Sequence, residues 1–461
     1  MHAQRRSTER LRQDALAIWQ AGLDAVRSER LIAENVSLDK NLLKIGDDSF
    51  DLDSVGRIAV VGGGKAGAGM AAAVEAVLGE ALLKRHDVTG WVNVPDDCVR
   101  PLARIKLHGG RPAGVNEPTA AGAAGAAEIL RIVESLAPRD LCLCLLSGGG
   151  SALLPAPCKG VTLEDKIALV RYLSGAGANI EELNTVRKQL SAIKGGRLAR
   201  RCRAGRLISL IISDVIGDPL DMIASGPTAP DTSTPSDALE ILQRFAALEA
   251  GVAARLVRVL EQKQAQREFT EQAPTVCPVT NLVIGNNAKA VDAAGREALR
   301  RGYSHVMSAA TELEGEAEEV GRHHARMALT MLRRGGPDCL ITGGEPVVKL
   351  AEASIRGRGG RNQQLVLAAG DHLAAANDLS GSGVVILSGG TDGEDGPTDA
   401  AGAWLDLPLL GEAEQKGLDR HDHLRRNDAY PFFAALDALI KTGPTHTNVC
   451  DVRVVLVDRR G

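Results

Sequence analysis

Residues 58–65, Ile-Ala-Val-Val-Gly-Gly-Gly-Lys, decide the predicted fold, because four apolar residues run directly into three glycines and a cation. An uninterrupted apolar run is typical of a strand that is buried on both faces in a parallel sheet. The Ala-rich segment that follows indicates a helix of the kind that covers such a sheet. The stretch therefore predicts a β-strand, a glycine-rich turn and an α-helix of an α/β domain.

Further apolar runs end abruptly in the same way, and helical patterns usually follow them. These runs end immediately before Ser147, Ser213, Gly285, Thr342 and Ser388. The alternation predicts an α/β protein whose sheets are mainly parallel and covered by helices. Open α/β sheets bind ligands beyond the carboxyl ends of their strands, so we expect the site to be assembled from several of these loops.

The runs form two series, which predict two α/β domains. We place the N-terminal domain at residues 1–250 and the C-terminal domain at residues 280–461. The segment from Asp237 to Thr275 is helical and increasingly polar, and we expect it to connect the two. Near the N-terminus, a helical apolar pattern predicts an amphipathic helix that packs on the body of the protein; its apolar positions are Leu11, Ala15, Ile18 and Leu23.

The composition is that of a globular protein, with 461 residues, 44% hydrophobic and 24% charged. A net charge of −4 and a content of five Phe, three Trp and three Tyr argue against a nucleic-acid partner. No apolar stretch has the length of a membrane span, and the N-terminus lacks the apolar core of a secretory signal. The eight cysteines include no C-x-x-C pair and are expected to be buried free thiols, which predicts a cytoplasmic protein.

The glycine-rich loop at residues 62–67 allows two interpretations. Its glycines fit G-x-G-x-x-G between a strand and a helix, and Asp87 lies where a ribose-binding acid is expected, so a dinucleotide-dependent oxidoreductase is one reading. Lys65 favours phosphoryl transfer, which needs a cation beside the transferred group. The loop is not a Walker A sequence, because Ala66 stands where Ser or Thr would follow the lysine.

The other strand-end loops supply candidate ligand contacts. A second glycine-rich turn at residues 147–151 can bind phosphate or carboxylate through its backbone N–H groups. Together the two glycine loops and the polar residues after the run at residues 282–284 give the cofactor-binding candidates: Gly62, Gly63, Gly64, Ser147, Gly148, Gly149, Gly150, Ser151, Asn286 and Asn287. Arg187 and Lys188 are candidates for an anionic substrate, although a solvated charged face explains them equally well.

Acidic and basic residues complete the candidate set. Asp214 follows an apolar run, where a carboxylate can bind Mg²⁺ or accept a hydroxyl proton. Asp392 lies in a loop that contains four acids and is a second Mg²⁺ candidate. Arg361 lies in a Gly- and Arg-rich loop, and its planar donor fork suits phosphate or carboxylate.

Eight segments, taken together and in order, resemble the type-II glycerate kinases, whose C-terminal part is called the MOFRL domain. They extend from about residue 58 to about residue 455: VVGGGKAGAGMA, SGGGSALL, NTVRKQLSAIKGGRLA, ISDVIGDPLDMIASGPTAPD, TGGEP, GRGGRNQQ, SGGTDGEDGPTDAAGA and TGPTHTNVCD. The resemblance implies two α/β domains with the active site in an interdomain cleft. It also implies transfer of the γ-phosphoryl group of ATP to the 2-hydroxyl of D-glycerate, giving 2-phosphoglycerate and ADP.

The resemblance assigns roles to the candidates. Lys65 and Arg361 match positions regarded as catalytic in the family, and Asp214 and Asp392 are candidates for Mg²⁺ binding or hydroxyl activation, two roles that stay open between them. Arg187 and Lys188 are candidates for the glycerate carboxylate. The implied cosubstrate and ion are ATP and Mg²⁺; the implied partner is D-glycerate, with neither nucleic acid nor membrane, and a homodimer is left open.

The sequence departs from the family pattern at three positions. Gln364 stands where an acid is usual, His446 where Gly is usual and Cys450 where Asn is usual. A side chain at position 446 adds bulk where a tight turn is expected. Two other functions stay open: an NAD(P)H-dependent hydroxypyruvate reductase, a name that some family members have carried, and a non-catalytic nucleotide sensor, which would not need Lys65, Arg361 and the acidic loop together.

Overall fold

The computed structural model describes residues 6–115, 117–270, 277–334, 336–376, 379 and 381–459, and it confirms the α/β class. The strands are β1 (Val36–Asp39), β2 (Leu42–Ile45), β3 (Asp48–Asp51), β4 (Ile58–Gly63), β5 (Thr89–Pro95), β6 (Ile105–Arg111), β7 (Leu141–Ser147), β8 (Arg206–Ile212), β9 (Val279–Gly285), β10 (His305–Ala309), β11 (Cys339–Gly344), β12 (Gly383–Gly390), β13 (Gly402–Asp406), β14 (Leu439–Ile440) and β15 (Asp451–Asp458). The helices are α1 (Thr8–Ala25), α2 (Ser28–Asn35), α3 (Gly67–Arg85), α4 (Ala120–Glu134), α5 (Gly150–Leu153), α6 (Leu163–Gly175), α7 (Ile180–Gln189), α8 (Arg197–Arg201), α9 (Pro235–Arg244), α10 (Ala254–Thr270), α11 (Asn287–Arg300), α12 (Ala317–Arg334), α13 (Arg361–Ala374), α14 (Leu407–Gln415), α15 (Arg420–Arg425) and α16 (Ala429–Ala435).

The chain forms two compact units whose boundaries differ from those expected for the domains. The first unit is residues 31–284, and the second unit is residues 1–30 together with residues 285–461. The N-terminal helix α1, which we expected in the N-terminal domain, belongs to the second unit because its apolar face packs there against α11, β12 and β15.

Residues 237–270 of the expected connecting segment are part of the first unit. Helices α9 and α10 pack on each other, and their leucines share a buried core with α6 and α7. The polar face of α10 is the solvated side of an amphipathic helix, which explains why the sequence looks like a linker. Residues 271–276, at the end of that segment, lie outside the described residues.

The main sheet of the first unit places both glycine-rich loops at the carboxyl ends of its two central strands. Its strand order is β6-β5-β4-β7-β8-β9, and the pairs from β6 to β8 run parallel. The chain builds outward from β4 in one direction and from β7 in the other, so the connections that leave these two neighbours diverge. Such a reversal opens a crevice at the carboxyl ends of the two strands, where doubly wound sheets bind ligands. A small antiparallel sheet, β1-β2-β3, completes the strands of this unit.

The sheet of the second unit is mixed, which corrects the expectation of mainly parallel strands for this half of the chain. Its order is β10-β11-β15-β12-β13-β14, in which β10 and β11 are parallel and the other neighbours are antiparallel. The connection between Gly390 and Gly402 contains no helix, and a parallel pair needs a long crossover that is usually helical. The acidic loop therefore joins two antiparallel strands.

One prediction from composition is confirmed. All eight cysteines are free and buried. Among the helices in the described part of the chain, none combines the length and the apolar composition that crossing a membrane requires.

Helix α1 is anchored in the second unit by its predicted apolar face. Leu11, Ala15, Ile18 and Leu23 are all buried, as is Trp19. The indole Nε1 of Trp19 donates to the carbonyl oxygen of Gly389 at 3.2 Å, near the end of β12. A Cβ on Gly389 would lie 2.9 Å from the indole ring, so the glycine makes room for the tryptophan.

We expect Trp19→Ala to lower the free energy of unfolding by about 3–5 kcal/mol, because truncation leaves a cavity at a fully buried aromatic site. Urea denaturation followed by circular dichroism measures the change. Leu299→Ala is the control, since Leu299 is 66% exposed on α11 of the same unit. Equal midpoints for the two variants would contradict the anchoring role of Trp19.

Candidate active site

The two glycine-rich loops predicted from the sequence meet at the carboxyl ends of β4 and β7. The backbone N–H of Lys65 donates to the carbonyl oxygen of Gly148 at 2.8 Å. The backbone N–H of Ala66 donates to the buried Ser147 Oγ at 3.0 Å. The divergence of the chain between neighbouring strands thus yields one continuous glycine-rich crevice.

Glycine is required at two positions of this crevice. Gly62 and Gly64 have φ values of +150° and +153°. A Cβ on Gly64 would overlap Ser147 Oγ, and a Cβ on Gly62 would overlap the carbonyl oxygen of Leu145. Close backbone approach and exposed N–H groups at the start of α3 suit a bound phosphate chain. The glycine cradle therefore fits the nucleotide phosphates expected there.

Two cations flank the second glycine loop. Gly149 has φ +75°, and a Cβ built on it would lie 3.3 Å from Lys65 Cγ and 3.2 Å from a terminal nitrogen of Arg111. Lys65 is half-buried, and Arg111, which ends β6, is buried. Sequence reasoning missed Arg111, although its position at the end of a strand next to β5 was a usable signal.

Ser151, the last residue of the second loop, faces Lys194. The buried ammonium of Lys194 donates to Ser151 O and Ser151 Oγ, each at 2.9 Å. The hydroxyl of Ser151 also lies 3.1 Å from Ser225 Oγ. Asp214 follows β8, the strand beside β7, and is half-buried at the same edge of the sheet.

Arg187 and Lys188 are neighbours on α7 but have different surroundings. Lys188 is buried, and its ammonium pairs with Asp221 at 3.1 Å and with the buried Asp231 at 3.3 Å. Arg187 lines a cavity and makes only a long 3.5 Å hydrogen bond, to Asn184, among the described residues. Burial lowers the pKa of Arg187. Arg187 is therefore the better placed of the two for an anionic ligand.

In the second unit, Arg361 is held between two carboxylates. It begins α13, and its guanidinium makes a bidentate contact with the buried Asp451 at 2.7 and 3.0 Å. A third donor reaches Glu345 at 2.7 Å. Burial raises the pKa of Glu345 despite the nearby cation. Sequence reasoning missed Glu345 and Asp451, although both stand at strand ends, in TGGEP and at the start of β15.

The acidic loop divides its carboxylates between two environments. Asp392 is half-buried, and a Cβ on Gly390 would lie 3.2 Å from Asp392 Oδ1 and 3.5 Å from Asp451 Oδ1, so the two acids are neighbours. Asp395 is buried at the start of α13 and accepts from the backbone N–H groups of residues 362 and 363 at 3.0 and 2.9 Å. Burial raises the pKa of Asp395 to about 7. Asp395 therefore orients the helix that carries Arg361.

Asn286 and Asn287 have contacts within the fold. The side chain of Asn286 caps α11 by accepting from the N–H of Lys289 at 3.1 Å. The amide of Asn287 donates to the carbonyl oxygens of Val449 and Asp451 at 2.8 and 2.9 Å. Asn287 thus fixes the start of β15, where Asp451 meets Arg361, while a contact with a cofactor stays a prediction.

The three departures from the family pattern lie close to this site. His446 and Cys450 adopt φ values of +55° and +67°, a conformation that favours Gly or Asn, the residues that the family resemblance leads us to expect at these positions. The tight turn expected at His446 stays a prediction. Cys450 Sγ lies 3.7 Å from Glu345 Oε2. The buried amide of Gln364 donates to Glu318 at 3.1 Å, where an acid would be repelled.

The position of Asp87 does not support the dinucleotide-binding interpretation. Asp87 is exposed and lies between α3 and β5, at the amino end of that strand. A ribose-binding acid must lie at the carboxyl end, beside the phosphate loop. The sequence spacing was suitable, but the length of α3 leaves Asp87 at the wrong edge of the sheet.

Two family models match the chain. A domain of unknown function (DUF4147) matches residues 14–261, and the MOFRL family matches residues 338–451. The first match alone extends over more than half of the chain.

Two relatives and a solved structure resemble most or nearly all of the chain. A glycerate kinase of Homo sapiens is 36% identical, over 98% of this chain and 94% of the relative. The crystal structure of a glycerate kinase from Thermotoga maritima is 33% identical and superimposes with a TM-score of 0.79, over 97% of this chain and all of the other. A protein of Agrobacterium vitis with a provisional hydroxypyruvate reductase name is 38% identical, over 87% of this chain and all of the relative.

We expect Gly64→Ala to lower the free energy of unfolding by about 1–3 kcal/mol, because the new methyl group displaces Ser147 and the loop it holds. Thermal denaturation measures the change. Gly175→Ala is the matched control, since a Cβ there meets nothing within 4 Å and its φ is not positive. A Gly64→Ala variant as stable as the control would show that the crevice is not closely packed.

We expect Lys188→Met to lower the free energy of unfolding by about 3 kcal/mol, because it leaves the buried carboxylate of Asp231 without its main cation. Arg187→Met, on the same helix, should cost less than about 1 kcal/mol, because no carboxylate among the described residues depends on it. Urea midpoints compare the two variants. If Lys188→Met keeps the wild-type midpoint, its ion pairs are not structural and its candidacy for substrate binding gains weight.

Proposed function

The chain belongs to the glycerate kinase family with a C-terminal MOFRL domain, and from that premise we propose that it phosphorylates D-glycerate with ATP at the 2-hydroxyl, giving 2-phosphoglycerate and ADP. The observation that carries the proposal is the full-length similarity to a glycerate kinase, at 36% identity. The glycine crevice with Lys65 beside it supports the assignment, because phosphoryl transfer needs backbone donors and a cation at the phosphates.

The nucleotide phosphates are assigned to the crevice of the first unit. Backbone N–H groups of the two glycine loops and the start of α3 supply donors for the β- and γ-phosphates. Lys65 then balances the charge of the transferring group, and Arg111 adds a second cation on the far side of Gly149. Both cations act by electrostatics, so neither needs to change its protonation state during the reaction.

Arg361, in the second unit, is assigned to phosphoryl oxygens of a substrate. Asp451 and Glu345 engage three of its five N–H donors and fix the plane of the guanidinium. The two other N–H groups are the ones that we assign to phosphoryl oxygens. Holding the guanidinium in place beforehand lowers the cost of organising it in the transition state.

Mg²⁺ is assigned to the nucleotide rather than to a dedicated protein cage. Among the described residues, no three His, Cys, Asp or Glu side chains gather as metal ligands. Kinase sites usually hold Mg²⁺ through one or two carboxylates plus substrate phosphates, a demand that Asp214 or Asp392 can meet. When bound, the ion supplies positive charge that offsets the negative charge of the phosphates. The carboxylate that does not bind the ion is assigned to the hydroxyl proton of glycerate.

Two further assignments complete the proposal. We place the enzyme in the cytoplasm, because its eight buried cysteines are free thiols, as in proteins of reducing compartments. The homodimer left open by the sequence stays a prediction that sedimentation velocity can test.

We expect the purified protein to release ADP and form 2-phosphoglycerate from ATP, Mg²⁺ and D-glycerate in a coupled assay that separates 2- from 3-phosphoglycerate. Lys65→Ala and Arg361→Ala should each reduce kcat/KM at least about a hundredfold, because each removes charge stabilisation from the transition state. Lys84→Ala, at the exposed far end of α3, and Arg300→Ala, on the surface of α11, are the matched controls.

A parallel reaction with NADH and hydroxypyruvate tests the alternative. Oxidation of NADH without ADP release in the first reaction would overturn the kinase proposal in favour of the reductase. Turnover of ATP to 3-phosphoglycerate would retain the kinase and overturn the assignment of the 2-hydroxyl.

A further inference from the structure

A cavity of the first unit, of about 380 Å³, is lined mainly by cations at its polar positions. It lies among α5, α6 and α7 and has four cationic side chains and one acid in its wall: Lys166, Arg171, Arg187, Lys194 and Glu117. The acid is already paired, because Arg171 contacts both oxygens of Glu117 at 2.5 and 2.8 Å at the exposed mouth. The remaining three cations have no carboxylate in the wall to balance them.

Lys166 is the unusual member of this set. It is 8% exposed, and among the described residues its ammonium has no hydrogen-bond partner. A buried ammonium without a partner carries a large desolvation cost, so proteins rarely keep one without a use. Lys194 differs, because its ammonium donates to Ser151 and Ala224. A bound anion would offset the free-energy cost of burying the ammonium of Lys166.

The cavity is adjacent to the crevice that we assign to the nucleotide phosphates. Ser151 belongs to the cavity wall and directly follows Gly150, whose built Cβ lies 3.0 Å from the carbonyl oxygen of Gly63. Lys65 lies next to Gly149, because a Cβ built on Gly149 would be 3.3 Å from Lys65 Cγ. An acceptor with its anionic end at Lys166 can therefore direct its other end toward the glycine loops. Apolar side chains such as Leu163 and Ile167 complete a wall suited to a small organic acid.

We propose that this cavity binds the carboxylate of the hydroxy-acid acceptor and that Lys166 is its principal charge partner, an inference that rests on the proposed kinase function. Arg187 supplies a second positive charge, and Lys194 positions Ser151. The assignment is to a carboxylate rather than a phosphate, because the glycine loops already provide backbone donors for phosphates.

The surroundings of Lys166 make this binding dependent on pH. Burial, together with nearby cations and against the opposing effect of the Cys158 thiol, lowers the pKa of Lys166 to about 8. The facing groups are Cys158 before α6, Arg187 on α7, Lys194 between α7 and α8, Arg197 on α8 and Lys263 on α10. A bound carboxylate favours the ammonium and raises its pKa. Acceptor affinity should therefore be full below pH 8 and fall as the pH rises above it.

The test compares Lys166→Met with wild type in the full-length protein. We expect KM for D-glycerate to rise between about ten- and a hundredfold, the loss typical of one charge-assisted hydrogen bond, while KM for ATP stays within about twofold. The thermal midpoint of the ligand-free variant should rise, because an unpaired buried charge has been removed. Lys84→Met, at the exposed end of α3 and outside the cavity, is the control and should change neither KM.

The amide of glyceric acid separates binding from general damage. It lacks the carboxylate charge, so wild type and Lys166→Met should use it equally well. An unchanged KM for D-glycerate in Lys166→Met, or equal losses for D-glycerate and its amide, would overturn the assignment.

Calorimetric titration with D-glycerate and with inorganic phosphate keeps this inference separate from the kinase proposal. Binding of D-glycerate that depends on Lys166, in a protein without kinase activity, would support the carboxylate site and defeat the kinase proposal. Binding of phosphate but not of D-glycerate at Lys166 would overturn the carboxylate assignment.

Discussion

The close contact between the loops that follow β4 and β7 is the constraint on which the first unit depends. Two neighbouring parallel strands send their chains in opposite directions, and the loops touch where they part, through Lys65 N–H to Gly148 O and Ala66 N–H to Ser147 Oγ. Only glycine fits at Gly62 and Gly64, because any side chain would overlap the opposing loop. The same closeness aligns backbone donors on a shared crevice, so packing and ligand binding impose the same sequence requirement.

The second unit solves a different electrostatic problem. Arg361 must stay fixed yet keep donors for a ligand, and the bidentate contact with Asp451 together with the contact with Glu345 meets that need. Asp395 fixes α13, the helix that carries Arg361, by accepting hydrogen bonds from two of its backbone N–H groups. Acids outnumber cations around this guanidinium, whereas cations outnumber acids in the cavity around Lys166. We infer that an anionic ligand offsets the excess of cations in the cavity.

Much of this organisation could be predicted from the sequence, and the remainder could not for identifiable reasons. The apolar runs predicted β4, β7, β8 and β12, because burial on both faces leaves an unbroken pattern. The mixed order of the second sheet was missed, because pairing direction depends on connections and the insertion of β15 between β11 and β12 is a long-range event. Lys166 was missed because it lies on an amphipathic helix, where its sequence context resembles that of a solvated lysine. The helix α10 looked like a linker for the same reason.

The position of β15 has a consequence for synthesis on the ribosome. The second unit begins with α1 and is completed by β15, which lies in the interior of the sheet between β11 and β12. Residues 31–284 can fold as soon as they leave the ribosome. The apolar face of α1 packs on β15, which is synthesised more than 400 residues after α1. During that interval the apolar face of α1 lacks the strands against which it packs and is open to non-native contacts. The unit that carries Arg361 is therefore the last to become competent, and an interrupted translation product would contain the glycine crevice without it.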